Sequence, residues 1–498
     1  MIIPKYKYMH YCQCPKMVWI EKYKKELLEK TTSNNTFYYN PINDIDKFSK
    51  KLFNSEDACI YTNENKERYN LQLMVEQTKK LLLSKNCNSI YKATFEYDNT
   101  YFTIDILRKV KSGYIAYLLK PYKNLRQNFI LEMSYIAYIL QKLNIPVYRY
   151  CIITINHDFK KEGEIDPKKY FKINYVGQKI KKFLSEVETN LDGYKKIIEN
   201  PNEPYIEYGT QCSPSHPCPY TEYCRKPLPT PSVFDLYQFN KKMDFYQKNI
   251  LSFDDIVNSG IELNSFQKRQ INYYKNSLPT YVEKENLKTY LKNFTYPLYF
   301  LDFETTQQEL PLFDGITPFE QIPFQYSLHY IENEGGELKH TEFLANENSS
   351  PKPALVKQLV SDIPENSCIV AYNAQFEKRV ISQLAKVFPE YSDHLISLTK
   401  NFVDLIDPFE KGYVYDKLMG GSFSLKSVLP ALYPNDPSMN YSNLEDVHNG
   451  KDARLLFPTL KYLSKEEREK ERNNLLKYCY LDTFAMVKIW EKLKTFVE

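Results

Sequence analysis

Apolar and polar positions divide this chain into stretches of different period. Tyr296–Phe303, Pro323–Ile331 and Cys368–Tyr372 are short, nearly continuous apolar runs of strand length. Ala374–Val387 follows at helical spacing, and a stretch from about Lys465 to Phe496 carries Leu475, Leu476, Met486, Ile489, Trp490 and Leu493 as the apolar positions of one long helix. Strands followed by helices predict an α/β domain from Thr295 onward. Residues 233 to about 293 differ: Phe234, Leu236, Tyr237 and Phe239, then Ile250, Leu251, Phe253 and Ile256, recur without strand-like alternation and predict short amphipathic helices. The Pro-rich run Lys226-Pro-Leu-Pro-Thr-Pro-Ser232 marks a domain exit. The expected organisation is an N-terminal domain over 1–228, a helical connector over 229–293 and a second α/β domain over 294–498.

At the end of the first of these runs, in Tyr296-Pro-Leu-Tyr-Phe-Leu-Asp-Phe-Glu-Thr305, two carboxylates, Asp302 and Glu304, flank one residue where the apolar strand is expected to end. Residues two apart in a strand point to the same side, so both carboxylates project together and need a cation. Glu377 follows Asn373, and Asp482 follows Tyr478, each at a spacing of one helical turn. Four carboxylates in this order predict a site for two divalent ions; hard oxygen ligands suit Mg²⁺ or Mn²⁺ held about 4 Å apart across a phosphodiester. Two neighbouring features fit a substrate site. In Gly420-Gly-Ser-Phe-Ser-Leu-Lys426, Ser422 or Ser424 caps a helix whose first amides, with Lys426, suit a phosphate; simple capping serves equally well. Asp404 either supports a substrate loop or caps a turn.

Composition narrows the picture less. The 498 residues exceed one ordinary core, and no apolar run approaches the roughly 20 residues that span a bilayer, so no membrane association and a cytoplasmic location are expected. A net charge of +4, from 66 basic and 62 acidic residues, permits nucleic-acid binding without arguing for it. The 44 Tyr fit an A+T-rich coding bias better than a base-stacking surface.

Ten Cys in a reducing compartment point to metal before disulfide. Cys212, Cys218 and Cys224 are evenly spaced and punctuated by Pro, and Cys14 stands far away in Cys14-Pro-Lys-Met-Val-Trp19. Three close thiolates need a fourth ligand: His216 completes a tetrahedral Zn²⁺ site, whereas a cluster takes a remote Cys.

The ordered set Asp302-x-Glu304, Asn373-x-x-Phe376-Glu377 and Tyr478-x-x-x-Asp482 resembles the DnaQ-like 3′-to-5′ exonucleases of RNase H-like fold, in their DEDDy form. That resemblance implies metal binding by Asp302, Glu304, Glu377 and Asp482, with Tyr478 orienting the nucleophilic water. Asn373, Ser424 and Lys426 are the candidate substrate contacts beside this set. One position departs: Glu377 is a methylene longer than the family's Asp. His448 and Asp452 form a rival third motif, one residue short of the His-type spacing.

The remote Cys-Pro with a Cys trio resembles the cluster-bearing RecB-type (PD-(D/E)XK) nucleases, which implies a [4Fe-4S] cluster on Cys14, Cys212, Cys218 and Cys224, with Cys12 as a substitute for Cys14 and Zn²⁺ as the alternative ion. In that pattern Asp105 matches the strand acid and Lys120 the lysine, but Leu118 stands where Glu is expected, Lys92 where another Glu is, and Ile136 or Tyr135 where Gln is. The N-terminal half is therefore expected to be a degenerate nuclease fold with a vestigial site at Asp105 and Lys120. The whole architecture resembles an uncharacterised bacterial family of predicted RecB-type nucleases.

The leading expectation is a metal-dependent 3′-to-5′ exonuclease acting on DNA or RNA with a single-stranded 3′ end. The alternatives are a non-catalytic nucleic-acid-binding protein with two worn nuclease folds, and residual endonuclease activity through Asp105 and Lys120.

Overall fold

Strict alternation in Phe102-Thr-Ile-Asp-Ile, where Phe102, Ile104 and Ile106 are buried between half-exposed neighbours, is what the centre of a sheet demands. The computed structural model describes residues 3–27, 41–62, 69–98, 100–212, 218–436 and 450–498, the side chains of 41–44 excepted. The chain forms two units, residues 1–225 with 308–320, and residues 226–307 with 321–498. Each is a mixed sheet flanked by helices, so the fold is α/β.

In the first unit the strands are β1 (Ile3–Pro4), β2 (Glu56–Asp57), β3 (Ser89–Tyr97), β4 (Thr100–Val110), β5 (Gly113–Leu119), β6 (Val147–Ile155) and β7 (Phe171–Tyr175). They lie in the order β2-β3-β4-β5-β6-β7, with β1 pairing beside β4. β3, β4 and β5 form an antiparallel meander. Gly113 makes its second hairpin possible: its φ is +123°, and an added Cβ would lie 2.0 Å from the Pro146 carbonyl oxygen. β5 then pairs parallel with β6, and the Gln127–Lys142 helix crosses between them. That helix buries Ile130, Met133, Ile136, Ala137 and Leu140, three or four residues apart, against Ile104, Leu118 and Ile152. Each fully buried Ile or Leu there stabilises the unit by about 1.5–3 kcal/mol relative to exposure.

In the second unit, the short helices Lys242–Gln247, Phe253–Asn258, Ser265–Lys275 and Lys284–Leu291 precede the sheet. Between the last two runs a two-residue strand, β8 (Tyr281–Val282), which the helical periodicity does not predict. The sheet consists of β9 (Leu298–Gln307), β10 (Gln321–Ile331), β11 (Lys339–Leu344), β12 (Cys368–Ala371) and β13 (Phe402–Asp404), in the order β11-β10-β9-β12-β13. β10 is antiparallel to both β9 and β11, whereas β12 is parallel to both β9 and β13. A last strand, β14 (Val414–Tyr415), pairs with β8.

Odd-numbered β9 side chains Tyr299, Leu301 and Phe303 pack with Leu355, Leu359, Ile369, Val380, Ile381 and Leu384 on one face of this sheet. Even-numbered ones therefore face the other side, where Phe300 meets Trp490 of the long helix Lys465–Thr495, ring centroids 5.7 Å apart. Ser464 starts that helix in a reciprocal capping box with Glu467. Gln325 Nε2 donates to the Leu475 carbonyl at 2.8 Å, and Arg468 and Arg472 clasp Glu347 at 3.1 and 2.9 Å, so the helix is pinned to the sheet at several points.

Among the described residues no helix is long and apolar enough to cross a membrane.

Candidate metal centre

β9 does not end at its acids. It continues to Gln307, because β10 pairs with it as far as Gln321, and Asp302 and Glu304 sit mid-strand opposite Ser327 and Gln325. The period of two points both acids at the long helix. From that helix, Tyr478 and Asp482 present one face, one turn apart. One oxygen each from Asp302, Glu304 and Asp482 lie within 4.8 Å of one another.

The electrostatics match the geometry. Burial raises the Asp302 carboxyl well above its ordinary range, and Asp482, Glu304 and Glu377 raise it further as like charges. Burial likewise raises Glu304 to about 8, with Asp482 and Glu377 adding to the shift and Lys426 opposing it. Three acids held this close keep their charge only beside a cation, and their hard oxygen donors fit Mg²⁺ or Mn²⁺.

Tyr478 is buried, and burial with the nearby Asp482, Glu304 and Asp302 pushes its hydroxyl far up, so it stays protonated. The Lys426 ammonium lies 5.2 Å from the centre of the Tyr478 ring. Gly450 leaves space beside Glu304: an added Cβ would be 3.6 Å from both carboxylate oxygens. Cys479 places Sγ 3.5 Å from Asp302 Oδ2 and donates to it.

Glu377 does not join the three converging acids. It is buried in the first turn of the Gln375–Val387 helix, near the positive end of the helix, and its Oε2 is buried without a hydrogen-bond partner. Burial lifts its carboxyl to about 8, with Asp404 adding to the shift. Asp404 caps the turn before that helix, accepting from the N–H groups of Asn373 and Ala374 at 2.8 Å each and from Ile406 at 3.3 Å. Asn373 has φ of +64°, a left-handed conformation that Asn tolerates, and it serves here as a turn residue. Ser424 occupies the N-cap position of the Leu425–Leu432 helix but makes no cap hydrogen bond; its hydroxyl meets Ser427 Oγ at 2.8 Å. Asp452 lies in the Gly450–Leu456 helix, outside the acidic trio, and His448 lies outside the described residues.

In the first unit, Asp105 and Lys120 line one cavity, each engaged with another partner. Asp105 Oδ1 accepts from the Lys92 ammonium at 2.7 Å and its Oδ2 from the Leu119 N–H at 2.7 Å. Lys92 reaches Asp46 as well, at 2.6 Å. Lys120 instead pairs with Glu132 at 2.6 Å, and Lys5 shares that carboxylate at 2.9 Å. Lys92, which reads in sequence as a lost acid, thus supplies the positive charge between two acids. Its φ is +56° inside a strand, a left-handed conformation that a Lys adopts only at a cost. Leu118 is buried in the core.

Cys14 sits at the junction of the Lys5–Gln13 and Pro15–Tyr23 helices. Burial raises its thiol, and the nearby Cys212 adds to the shift. Burial raises Cys218, with Cys212 and Cys14 contributing, and lifts Cys224 to about 11, with Cys218, Cys14 and Cys212 contributing. Each of these three thiols thus lies within electrostatic reach of other members of the set Cys14, Cys212, Cys218 and Cys224. They do not reach the tight mutual spacing of the acidic trio. Cys12 belongs elsewhere: Asn190 donates to its sulfur at 3.8 Å beside Tyr8. His216 lies outside the described residues.

One protein-family model, described as a domain of unknown function (DUF2779), matches residues 299–424. That stretch holds Asp302, Glu304 and Glu377, and stops short of Tyr478 and Asp482. No curated protein matches the chain, and no solved structure matches it.

Proposed function

We propose that this chain is a metal-dependent 3′-to-5′ exonuclease acting on DNA or RNA with a single-stranded 3′ end, and that its second unit is an RNase H-like domain of DnaQ type. The observation that carries the reading is the convergence of Asp302, Glu304 and Asp482 within 4.8 Å. The sheet order β11-β10-β9-β12-β13, with the acids on the central strand and Tyr478 one turn before Asp482, supports it. When bound at these carboxylates, two Mg²⁺ or Mn²⁺ ions supply Lewis-acid stabilisation of the phosphodiester and of the attacking and leaving oxygens. The protonated Tyr478 hydroxyl orients a water, and Lys426, whose charge already acts on Glu304, meets the substrate phosphate. Cys479 fixes the Asp302 carboxylate, and Glu377 adds negative charge from the neighbouring helix.

In this reading the first unit is a RecB-like fold that no longer cleaves, since the Lys92 ammonium stands between Asp46 and Asp105. Cys14, Cys212, Cys218 and Cys224 hold a [4Fe-4S] cluster, whose sulfur ligands stand farther apart than those of a single Zn²⁺. Iron and sulfide content after anaerobic purification tests the cluster; zinc without iron refutes it. Single strands labelled at the 3′ or the 5′ end, incubated with Mn²⁺, test the nuclease. The reading requires loss from the 3′ end and no shortening by Asp302→Ala; an inert unsubstituted chain sinks it.

A further inference from the structure

Asp302 lies on β9 and Asp482 on the long helix, so the gap between these two acids depends on how the helix sits on the sheet. Apolar contacts such as Phe300 with Trp490 hold the helix down but oppose its sliding and rotation only weakly, because they are non-directional. Hydrogen bonds are directional. Ser327 on β10 stands opposite Asp302 in the antiparallel ladder and shares its face, and Thr483 follows Asp482 on the helix. Their hydroxyl oxygens lie 2.7 Å apart, and both residues are fully buried.

Two histidines complete the network. His329, two residues beyond Ser327 on β10, brings Nδ1 to 2.8 Å from Thr483 Oγ1. His340 on β11, directly opposite His329, brings Nε2 to 3.0 Å from Ser327 Oγ. Burial and the neighbouring His340 lower His329 to about 3, and burial lowers His340 too, so both rings are neutral and each carries one N–H. One arrangement of protons satisfies every contact. The Tyr480 carbonyl, 3.1 Å from Thr483 Oγ1, only accepts, so Thr483 spends its single proton there. Ser327 and His329 Nδ1–H must then donate to Thr483, and His340 Nε2–H to Ser327. The Tyr480 ring covers both imidazoles, 4.8 and 4.6 Å away.

We infer that Ser327, Thr483, His329 and His340 are positioning residues that set the distance between Asp302 and Asp482 and thereby the affinity of the acidic trio for its cation. This role presupposes the metal centre proposed above. None of the four touches the substrate or the ion. Without the Thr483 hydroxyl, the contacts to Ser327, His329 and the Tyr480 carbonyl all go, and the helix is free to turn Asp482 away from Asp302 while its apolar face stays packed.

Calorimetric titration of the full chain with Mn²⁺, paired with the melting temperature of chelated protein, tests the role. Thr483→Val keeps the shape and removes the hydroxyl, and it weakens Mn²⁺ binding by roughly tenfold, as loss of a group that orients a metal ligand does. Thr483→Ser keeps the hydroxyl and loses the methyl; it restores the affinity although its fold is also less stable. Ser327→Ala makes the same test from the sheet side, so the answer does not hang on Thr483→Val folding. The two hydroxyls share one bond, so Ser327→Ala with Thr483→Val together weaken binding no more than the worse of the two alone. Variants that melt lower yet bind Mn²⁺ as tightly as the unsubstituted chain overturn the role and leave the metal centre standing. Additive losses in the double variant, or Thr483→Ser binding no better than Thr483→Val, also overturn it. An unsubstituted chain that binds no Mn²⁺ refutes the metal centre itself, and the role falls with it.

Discussion

Cys479 Sγ lies 3.5 Å from Asp302 Oδ2, which ties the residue after Tyr478 to the first acid of the Asp-Phe-Glu run. The thiol is fully buried, and burial with the Asp302, Glu304 and Asp482 charges raises it well above its ordinary range, so it acts as a neutral donor and not as a nucleophile. Native protein should therefore resist alkylation at Cys479 until it unfolds, as peptide mapping after iodoacetamide will show. Removing the donor by Cys479→Ala loses about 1 kcal/mol of carboxylate positioning and lowers turnover about fivefold. Cys479→Ser restores it, and an Ala variant as active as the unsubstituted chain would refute the positioning role.

The acidic trio is strained without a cation, so chelation should destabilise the protein and Mn²⁺ should stabilise it. At a free ion concentration of roughly a hundred times Kd the gain is about 2.7 kcal/mol. Asp302→Asn removes one of the like charges. It should raise the melting temperature of chelated protein while abolishing the Mn²⁺-induced increase. A Mn²⁺ response that survives Asp302→Asn would place the ion elsewhere.

Those acids are legible in the sequence because strand and helix periods alone set their directions: Asp302 and Glu304 two residues apart on β9, and Asp482 four residues after Tyr478 on the long helix. Glu377 is different. Its direction follows from the turn that Asp404 caps and from the left-handed Asn373, and neither is visible in spacing. In the first unit, Asp46, Lys92 and Asp105 come from three separate elements. A sequence comparison registers Lys92 only as a missing acid, whereas the fold uses its charge. β11 escapes periodicity because its Lys339-His-Thr-Glu-Phe-Leu run is a mostly polar edge strand, and β13 because three residues carry no pattern.

The raised Glu304 carboxyl gives a pH test with a defined sign. Unfolded, this group releases its proton near its ordinary 4.5; folded and metal-free, it holds it to about 8. Between those values the native state binds more protons than the unfolded state, so stability falls as pH rises. The melting temperature of chelated protein should decline across that window, and Glu304→Gln should flatten the decline. Ion binding must expel those protons, so Mn²⁺ affinity should climb with pH through about 8. Titrations in buffers of different ionisation enthalpy will register the released protons; none released would contradict the shift.

Lys92 holds two largely buried carboxylates, its own side chain 14% exposed and those of Asp105 and Asp46 13% and 22%. Lys92→Met keeps the length and removes the charge, leaving both acids without their cation. Breaking a buried pair this way costs about 3–5 kcal/mol. Lys92→Met with Asp46→Asn and Asp105→Asn should recover most of the loss, since no uncompensated charge remains. Denaturant unfolding of the single and triple variants decides the matter; equal stabilities of the single variant and the unsubstituted chain would refute it.

Glu347 fastens the start of the long helix to the end of the sheet. Its buried carboxylate accepts from Arg468 at 3.1 Å and Arg472 at 2.9 Å, and Arg472 also reaches the carbonyls of Leu344 and Ala345. Glu347→Gln leaves two arginines without their anion; with both guanidinium groups part-exposed, the loss is about 2 kcal/mol. For a unit of this size that lowers the melting temperature by about 4–8 °C. Asp482 rides on the same helix ten residues beyond Arg472, about 15 Å along its axis. Loosening the clasp should therefore also weaken Mn²⁺ binding, while Asp407→Asn, which breaks an exposed pair with Lys411, should leave both unchanged. Differential scanning calorimetry with and without Mn²⁺ separates the two effects. A Glu347→Gln protein that melts lower but binds Mn²⁺ with unaltered affinity would show that the clasp stabilises the fold without positioning Asp482.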